Sequence, residues 1–178
     1  MRLPAAHTGF EGDPPSKRAE HRAVAMGGLM YIFGGRGGEN GIFDIQNDLY
    51  AFDPIALRWT YLDASSGRAP PRRAGHSMVA DASPAPPARS HSEGSFLYVF
   101  GGRGETKSGD EPTADVALAD VWRYDTSSNH WAQLGSSSTL CPPGRQHAAT
   151  GMLLDRLFVY GGIDPKSSYI YQVRRITL

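Results

Sequence analysis

Three apolar runs punctuate the chain, Tyr31-Ile32-Phe33, Tyr98-Val99-Phe100 and Phe158-Val159-Tyr160, and each ends in a glycine pair. The apolar positions are consecutive rather than alternating. That pattern predicts a strand covered on both faces, as when one sheet is stacked between two others. Upstream of each run lies a stretch of small and apolar residues, "AVAM" at 23–26, "SMVA" at 77–80 and "AATGM" at 148–152. Downstream of the first two, Asp48 to Asp53 and Asp120 to Asp125 place apolar side chains between two acids, and Trp59 and Trp131 follow six residues after the second acid. Gly, Pro, Asn, Asp and Ser fill the intervals, as turns require. No apolar period of 3.6 residues is sustained, so helix is minor. Each unit therefore predicts four short strands, and the chain is all-β.

The order of these features repeats. Arg18-Ala-Glu-His21 precedes the first unit, Arg73-Ala-Gly-His76 the second, and Arg145-Gln-His147, one residue shorter, the third. Repeats tens of residues long indicate a solenoid or a propeller. The predicted organisation is an irregular segment at 1–15, a first repeat at 16–66, a second at 67–137 and a partial third at 138–178. Two insertions, at 81–95 and 104–119, are expected as loops of the second repeat. His21, His76 and His147, occurring once per unit, are expected to hydrogen-bond backbone. Asp48 and Asp120 are expected to stabilise the turn before the third strand of their units.

Composition sharpens this. Twenty-one glycines and thirteen prolines in 178 residues suit many short strands. Eighteen basic and eighteen acidic residues give a formal charge of zero, which removes the bulk electrostatic reason to expect nucleic acid or an anionic membrane. Cys141 is the single cysteine, so an internal disulfide or a cysteine-based zinc site is excluded. A reducing, cytoplasmic compartment is expected, or an extracellular one within a longer secreted or membrane protein. No apolar run approaches the ~18 residues of a membrane span.

Taken together, Arg-x-x-His, the apolar run into Gly-Gly, and Tyr/Phe-Asp followed six residues later by Trp resemble the kelch repeat. The resemblance covers 16–62 and 68–134 well, with nearly every hallmark, and 141–173 in part, where Ile163 follows the glycine pair and no tryptophan closes the unit. It implies four-stranded blades of a β-propeller of the galactose oxidase-like superfamily, in which about five to seven blades surround an axis. Two full repeats and part of a third imply an incomplete ring or a fragment. The resemblance also implies a protein-binding module. Residues just beyond the glycine pair lie near one end of such a propeller, so Arg36 and Arg103 are candidate contacts to an acidic or phosphorylated partner segment. Arg18, Arg73 and Arg145 are further candidates, set against a role satisfying strand-end carbonyls within the fold.

Other chemistry finds little support. The glycine pairs do not continue as Gly-x-Gly-x-x-Gly opening a helix, and Lys107-Ser108 is preceded by Thr106 rather than Gly. Gly75-His76-Ser77-Met78-Val79 approaches a nucleophile elbow but ends in Val79 and lies in a predicted strand. Glu111-x-x-x-Asp115-x-x-x-Ala119 resembles the iron motif of plant specifier proteins but lacks its final histidine. Pro84-x-x-Pro87-x-Arg89 matches a polyproline ligand and reads more simply as a surface loop. The expectation is a scaffold without cofactor or metal, whose loops 37–47 and 104–119 and end arginines dock a protein partner. The alternatives are a metal-assisted or carbohydrate-processing enzyme on the same fold, or a partial propeller that self-associates.

Overall fold

A computed structural model describes residues 10–37, 44–62, 68–81, 95–108, 111–135, 141–153, 156–164, 166 and 168–177. The described residues form antiparallel sheets in three successive blades. The first holds β1 (Arg18–Ala19), β2 (Arg22–Met26), β3 (Leu29–Gly37), β4 (Asp44–Asp53) and β5 (Arg58–Tyr61). β1 and β2 both pair with β3, and β4 and β5 follow outward. The second region holds β6 (Ser77–Ala80), β7 (Phe96–Phe100), β8 (Arg103–Ser108), β9 (Glu111–Ala117), β10 (Val121–Asp125) and β11 (His130–Gly135). Four of these make the second blade in the order β6-β7-β10-β11, while β8 and β9 make a sheet of their own. The third blade has three described strands, β12 (Ala149–Leu153), β13 (Arg156–Tyr160) and β14 (Val173–Thr177), in that order.

Two apolar cores lie between blades. Phe33, Tyr31 and Leu49 of the first blade meet Leu97, Val99, Tyr124 and Trp131 of the second. Phe100 and Val121 of the second meet Ala148, Leu157, Val159 and Ile176 of the third. This explains the consecutive apolar run of β7, where Leu97 through Phe100 are all buried. β13 departs from the expectation. Leu157 and Val159 are buried, but Arg156 and Tyr160 on its other face are exposed, because among the described residues no blade covers that face.

The outer hairpins are set by their acids. Asp53 Oδ1 accepts the N–H groups of Ile55 and Ala56 at 2.8 and 2.9 Å, and Asp125 Oδ1 accepts that of Ser127 at 2.8 Å. The closing residues Leu57 and Asn129 take positive φ, 51° and 53°. Each turn delivers a tryptophan to the next strand. Trp131 crosses to the first blade, 5.1 Å from the Phe33 ring, and Trp59 stays in its own blade against Phe52 at 4.8 Å.

The insertion at 104–119, expected as a loop, is largely a hairpin. β8 and β9 prolong the connection that β3 and β4 span in the first blade as continuous strands with one register shift between Phe33 and Gly35, beyond which Arg36 pairs with Ile45 and Gly37 with Asp44. In the second blade the ladder breaks at Gly101-Gly102, and Arg103 then pairs with Ala117. With the two arms side by side, pairing satisfies backbone groups that a loop would leave to water. Of the insertion at 81–95 only Asp81 and Ser95 are described, so the Pro84, Pro87 and Arg89 motif lies outside the described residues.

The shorter Arg145-Gln-His147 element does not reflect a deletion in the fold. Arg22, Ser77 and Ala149 pair with Phe33, Phe100 and Tyr160, four positions after Arg18, Arg73 and Arg145. His147 thus corresponds to Glu20 and Gly75, and Ala148 takes the place of His21 and His76. Backbone conformation agrees, since φ is 58° at Glu20, 62° at Gly75 and 57° at His147.

Candidate interaction site at the glycine-pair end of the blades

The first two glycine pairs are junctions between blades. The N–H of Gly35 donates to the Arg73 carbonyl at 2.9 Å, and that of Gly102 to the Arg145 carbonyl at 2.8 Å. The second glycines hold φ of 100° and 92°. A Cβ at Gly102 would lie 2.8 Å from His76 Cβ and 2.9 Å from the Ala74 carbonyl. Both the left-handed backbone and the close approach exclude a side chain.

The arginines of the Arg-x-x-His elements reach back into these junctions. Arg73 is fully buried. Its Nη1 donates to the Gly101 carbonyl at 3.0 Å and to Asp120 Oδ1 at 2.9 Å, and its Nη2 donates to Asp120 Oδ2 at 2.8 Å. Trp122 Nε1 donates to the same carboxylate at 2.6 Å. Burial works to raise the Asp120 pKa, but the hydrogen bonds and charge of Arg73, joined by Trp122, outweigh it and hold the carboxyl below its ordinary value. Arg18 repeats the arrangement with the Gly34 carbonyl at 3.0 Å and both oxygens of Asp48. Arg145 donates to the Gly161 carbonyl at 3.1 Å. Asp48 and Asp120 therefore serve as arginine partners rather than as turn residues. Sequence separation hid this, since the two pairs are 30 and 47 residues apart.

The residues after the glycine pairs differ from these. Arg36 is exposed and pairs through its backbone with Ala19. Arg103 is half-buried and donates through Nη2 to both oxygens of Glu20, at 3.1 and 3.0 Å. Glu20 follows Ala19 directly, so Arg36, Glu20 and Arg103 form one connected surface across the first two blades, at the base of the β8–β9 hairpin. Sequence reasoning misses Glu20, because the matching positions of the other units hold Gly75 and His147 and no repeated acid marks the place. The third blade carries Ile163 where the first two have Arg36 and Arg103, paired with Gln146.

Two of the repeat histidines keep weak backbone contacts, His21 with Arg18 and His76 with Phe33. His76 is fully buried, and neither ring nitrogen makes a hydrogen bond of ordinary geometry. Its ring stands edge-on to Phe33 at 5.4 Å. Burial first, then the Arg73 charge, holds its pKa well below the usual histidine value, so the ring is neutral at pH 7. His21 is lowered likewise by burial and Arg18, and its Nδ1 makes no hydrogen bond of ordinary geometry.

Among the described residues catalytic geometry is sparse. Ser77 donates its hydroxyl to the Ala148 carbonyl of the next blade, within a strand. Burial, then the Asp120 charge, pushes the Cys141 thiol up, which disfavours the nucleophilic thiolate. Among the described residues no cluster of three or more His, Cys, Asp or Glu side chains could hold a metal ion.

Known proteins agree with this architecture. The family model described as the KLHDC2/KLHL20/DRC7 Kelch-repeats domain matches residues 5–162. The chain is 27% identical to human Kelch domain-containing protein 3 across 87% of its own length and 36% of that protein. It is 29% identical to human Kelch-like protein 25 across 92% of its length and 24% of that protein. Tip elongation aberrant protein 1 of Schizosaccharomyces pombe is 28% identical over 86% of the chain and 12% of its own length. The chain thus spans well under half of each of these relatives. The solved structure of YjhT, a kelch propeller, superposes with a TM-score of 0.61 at 18% identity, covering 92% of this chain and 54% of that one. Three blades in this order, joined through glycine pairs and buried arginines, are part of a β-propeller, and the chain belongs to the Kelch-repeat family.

Proposed function

We propose that the chain is a protein-interaction scaffold that docks a partner segment on the surface formed by Arg36, Glu20 and Arg103. Kelch-repeat domains generally serve as protein-interaction modules. Arg36 carries the reading here. The arginines of the repeat elements are turned into the fold, whereas Arg36 is exposed at the same end of the blades. A planar guanidinium takes a carboxylate or phosphate through two parallel hydrogen bonds, so the partner segment is acidic or phosphorylated. The two inter-blade cores hold the surface rigid, which lowers the entropy lost on docking.

The test is capture of partners by the wild-type chain and by Arg36→Glu, with the melting temperature of both followed alongside. Selective loss of the same partners from Arg36→Glu supports the reading, and an unchanged partner set overturns it.

A second reading, association with further blades or a second copy, is favoured by the third blade. Leu153, Tyr160, Tyr169, Tyr171 and Val173 are all exposed there, and an apolar surface of this kind marks an interface. Sedimentation analysis separates the two, since a monomer at micromolar concentration speaks against self-association.

A further inference from the structure

Gln172 stands where the first two blades have Asp48 and Asp120. Gly161 N–H donates to the Gln172 carbonyl at 3.3 Å, as Gly101 N–H donates to the Asp120 carbonyl at 3.2 Å. Gln172 precedes Val173, which pairs with Tyr160, as Asp120 precedes Val121, which pairs with Phe100. Arg145 keeps the posture of Arg73. Its Nε donates to the Pro143 carbonyl at 3.1 Å, as Arg73 Nε donates to that of Pro71 at 3.1 Å.

What differs is the acid. Arg73 Nη2 donates to Asp120, while Arg145 makes no ion pair and its Nη2 no hydrogen bond among the described residues. The Gln172 side chain is engaged elsewhere, accepting from Arg174 Nη2 at 2.8 Å. Yet Arg145 is only 2% exposed. Burial, then the Arg174 charge, pulls its pKa below the ordinary arginine value. A buried cation without its anion is costly, and a carboxylate relieves that cost. A cavity of about 420 Å³ opens at this point, lined by Arg145, Asp164, Tyr169, Tyr171 and Gln172 among others. Asp164 does not fill the role, since its Oδ1 accepts the N–H groups of Lys166 and Ser168 at 2.9 and 2.8 Å on its own loop.

We propose that the cavity at Arg145 is a carboxylate-binding site, in which a ligand carboxylate takes the place that Asp48 and Asp120 hold in the first two blades. The carboxylate belongs either to a free small acid or to a glutamate or aspartate side chain of a peptide. The volume admits either. The site goes beyond the surface at Arg36, and a small acid fills it with no protein partner present.

The decisive variant is Gln172→Asp, which returns the missing acid to the fold, with Gln172→Asn as the neutral control. Melting temperature is followed while sodium acetate or glutarate replaces sodium chloride at constant ionic strength. A parallel titration uses a short peptide with one central glutamate, amidated at its C-terminus, and its glutamine counterpart. Wild type and Gln172→Asn are expected to gain melting temperature in a saturable way. Gln172→Asp is expected to start about 2–4 °C higher and to bind at least ~10-fold more weakly. A response to the glutamate peptide alone assigns the site to a side chain, and a response to both assigns it to carboxylates generally. Absence of any response in wild type, or equal binding by Gln172→Asp, overturns the proposal. Neither result changes the outcome of partner capture with Arg36→Glu, so the two readings fail separately.

Discussion

Arg73 and Asp120 meet through two parallel hydrogen bonds of 2.9 and 2.8 Å, with the guanidinium fully buried. The pair joins the start of the second blade to its third strand. Removing one member leaves the other charged and enclosed, which costs about 3–5 kcal/mol. Asp120→Asn is therefore expected to lower stability by about that amount in urea unfolding. Asp48→Asn is expected to cost less, because Asp48 is more open than Asp120, 18% against 12% exposed in its side chain. Equal losses would show that burial does not set the value of these pairs. Asp120 titrates below its unfolded value, so its contribution is present above about pH 3.9 and disappears as pH falls through the lower folded value.

A second pH effect lies higher. His76 and His21 are neutral in the fold because burial depresses both. Below about pH 6.5 the unfolded chain takes up protons there that the folded chain does not. Stability therefore falls as pH drops from 6.5 toward 5, by up to about 1.4 kcal/mol per pH unit for the fully buried His76, while the more open His21 adds in the same direction. His76→Leu is expected to reduce that slope, and an unchanged slope between pH 6.5 and 5 would remove His76 from the account.

The glycines give a paired test. Gly102→Ala forces a side chain into a left-handed backbone and within 3 Å of two groups, so the variant is expected to lose more than ~3 kcal/mol or not to fold. Gly151 lies in β12, and a Cβ there would meet nothing within 4 Å. Gly151→Ala is expected to be neutral or to gain up to ~1 kcal/mol. Thermal melts of both variants distinguish space from composition.

Trp131 and Trp59 occupy matching turns but different surroundings. Trp131 is buried against Phe33 of the neighbouring blade, and Trp59 is half-buried against Phe52 of its own. Trp131→Ala is expected to cost about 3–5 kcal/mol and Trp59→Ala distinctly less. Similar losses in urea titrations would mean that the inter-blade contact adds nothing.

The blades themselves were legible because each signal is local. Consecutive apolar residues, a glycine pair, and an acid before a turn leave their marks within a few positions. What joins the blades was harder to read. Arg73 finds Asp120 across 47 residues, and insertions of unequal length obscure the repeated spacing. His147 misled for another reason. Chemical identity suggested equivalence with His76, while strand register assigns that place to Ala148. A residue type can drift one position along a repeat while the backbone conformation stays, as φ of 57° at His147 and 62° at Gly75 shows. The β8–β9 hairpin escaped because its polar residues carry no apolar alternation, and its pairing follows from the ladder on which it is built.

The bond from each second glycine to the arginine carbonyl of the following blade gives the stack a direction. Gly35 looks forward to Arg73 and Gly102 to Arg145, and no counterpart forms at Gly162 among the described residues. A socket of this kind has a plug of a different shape. Two copies meeting through a two-fold axis would set socket against socket and leave both unfilled. Only a head-to-tail arrangement, from a further blade or from the leading blade of a second copy, can extend the series, and such contacts either close into a ring or continue without end.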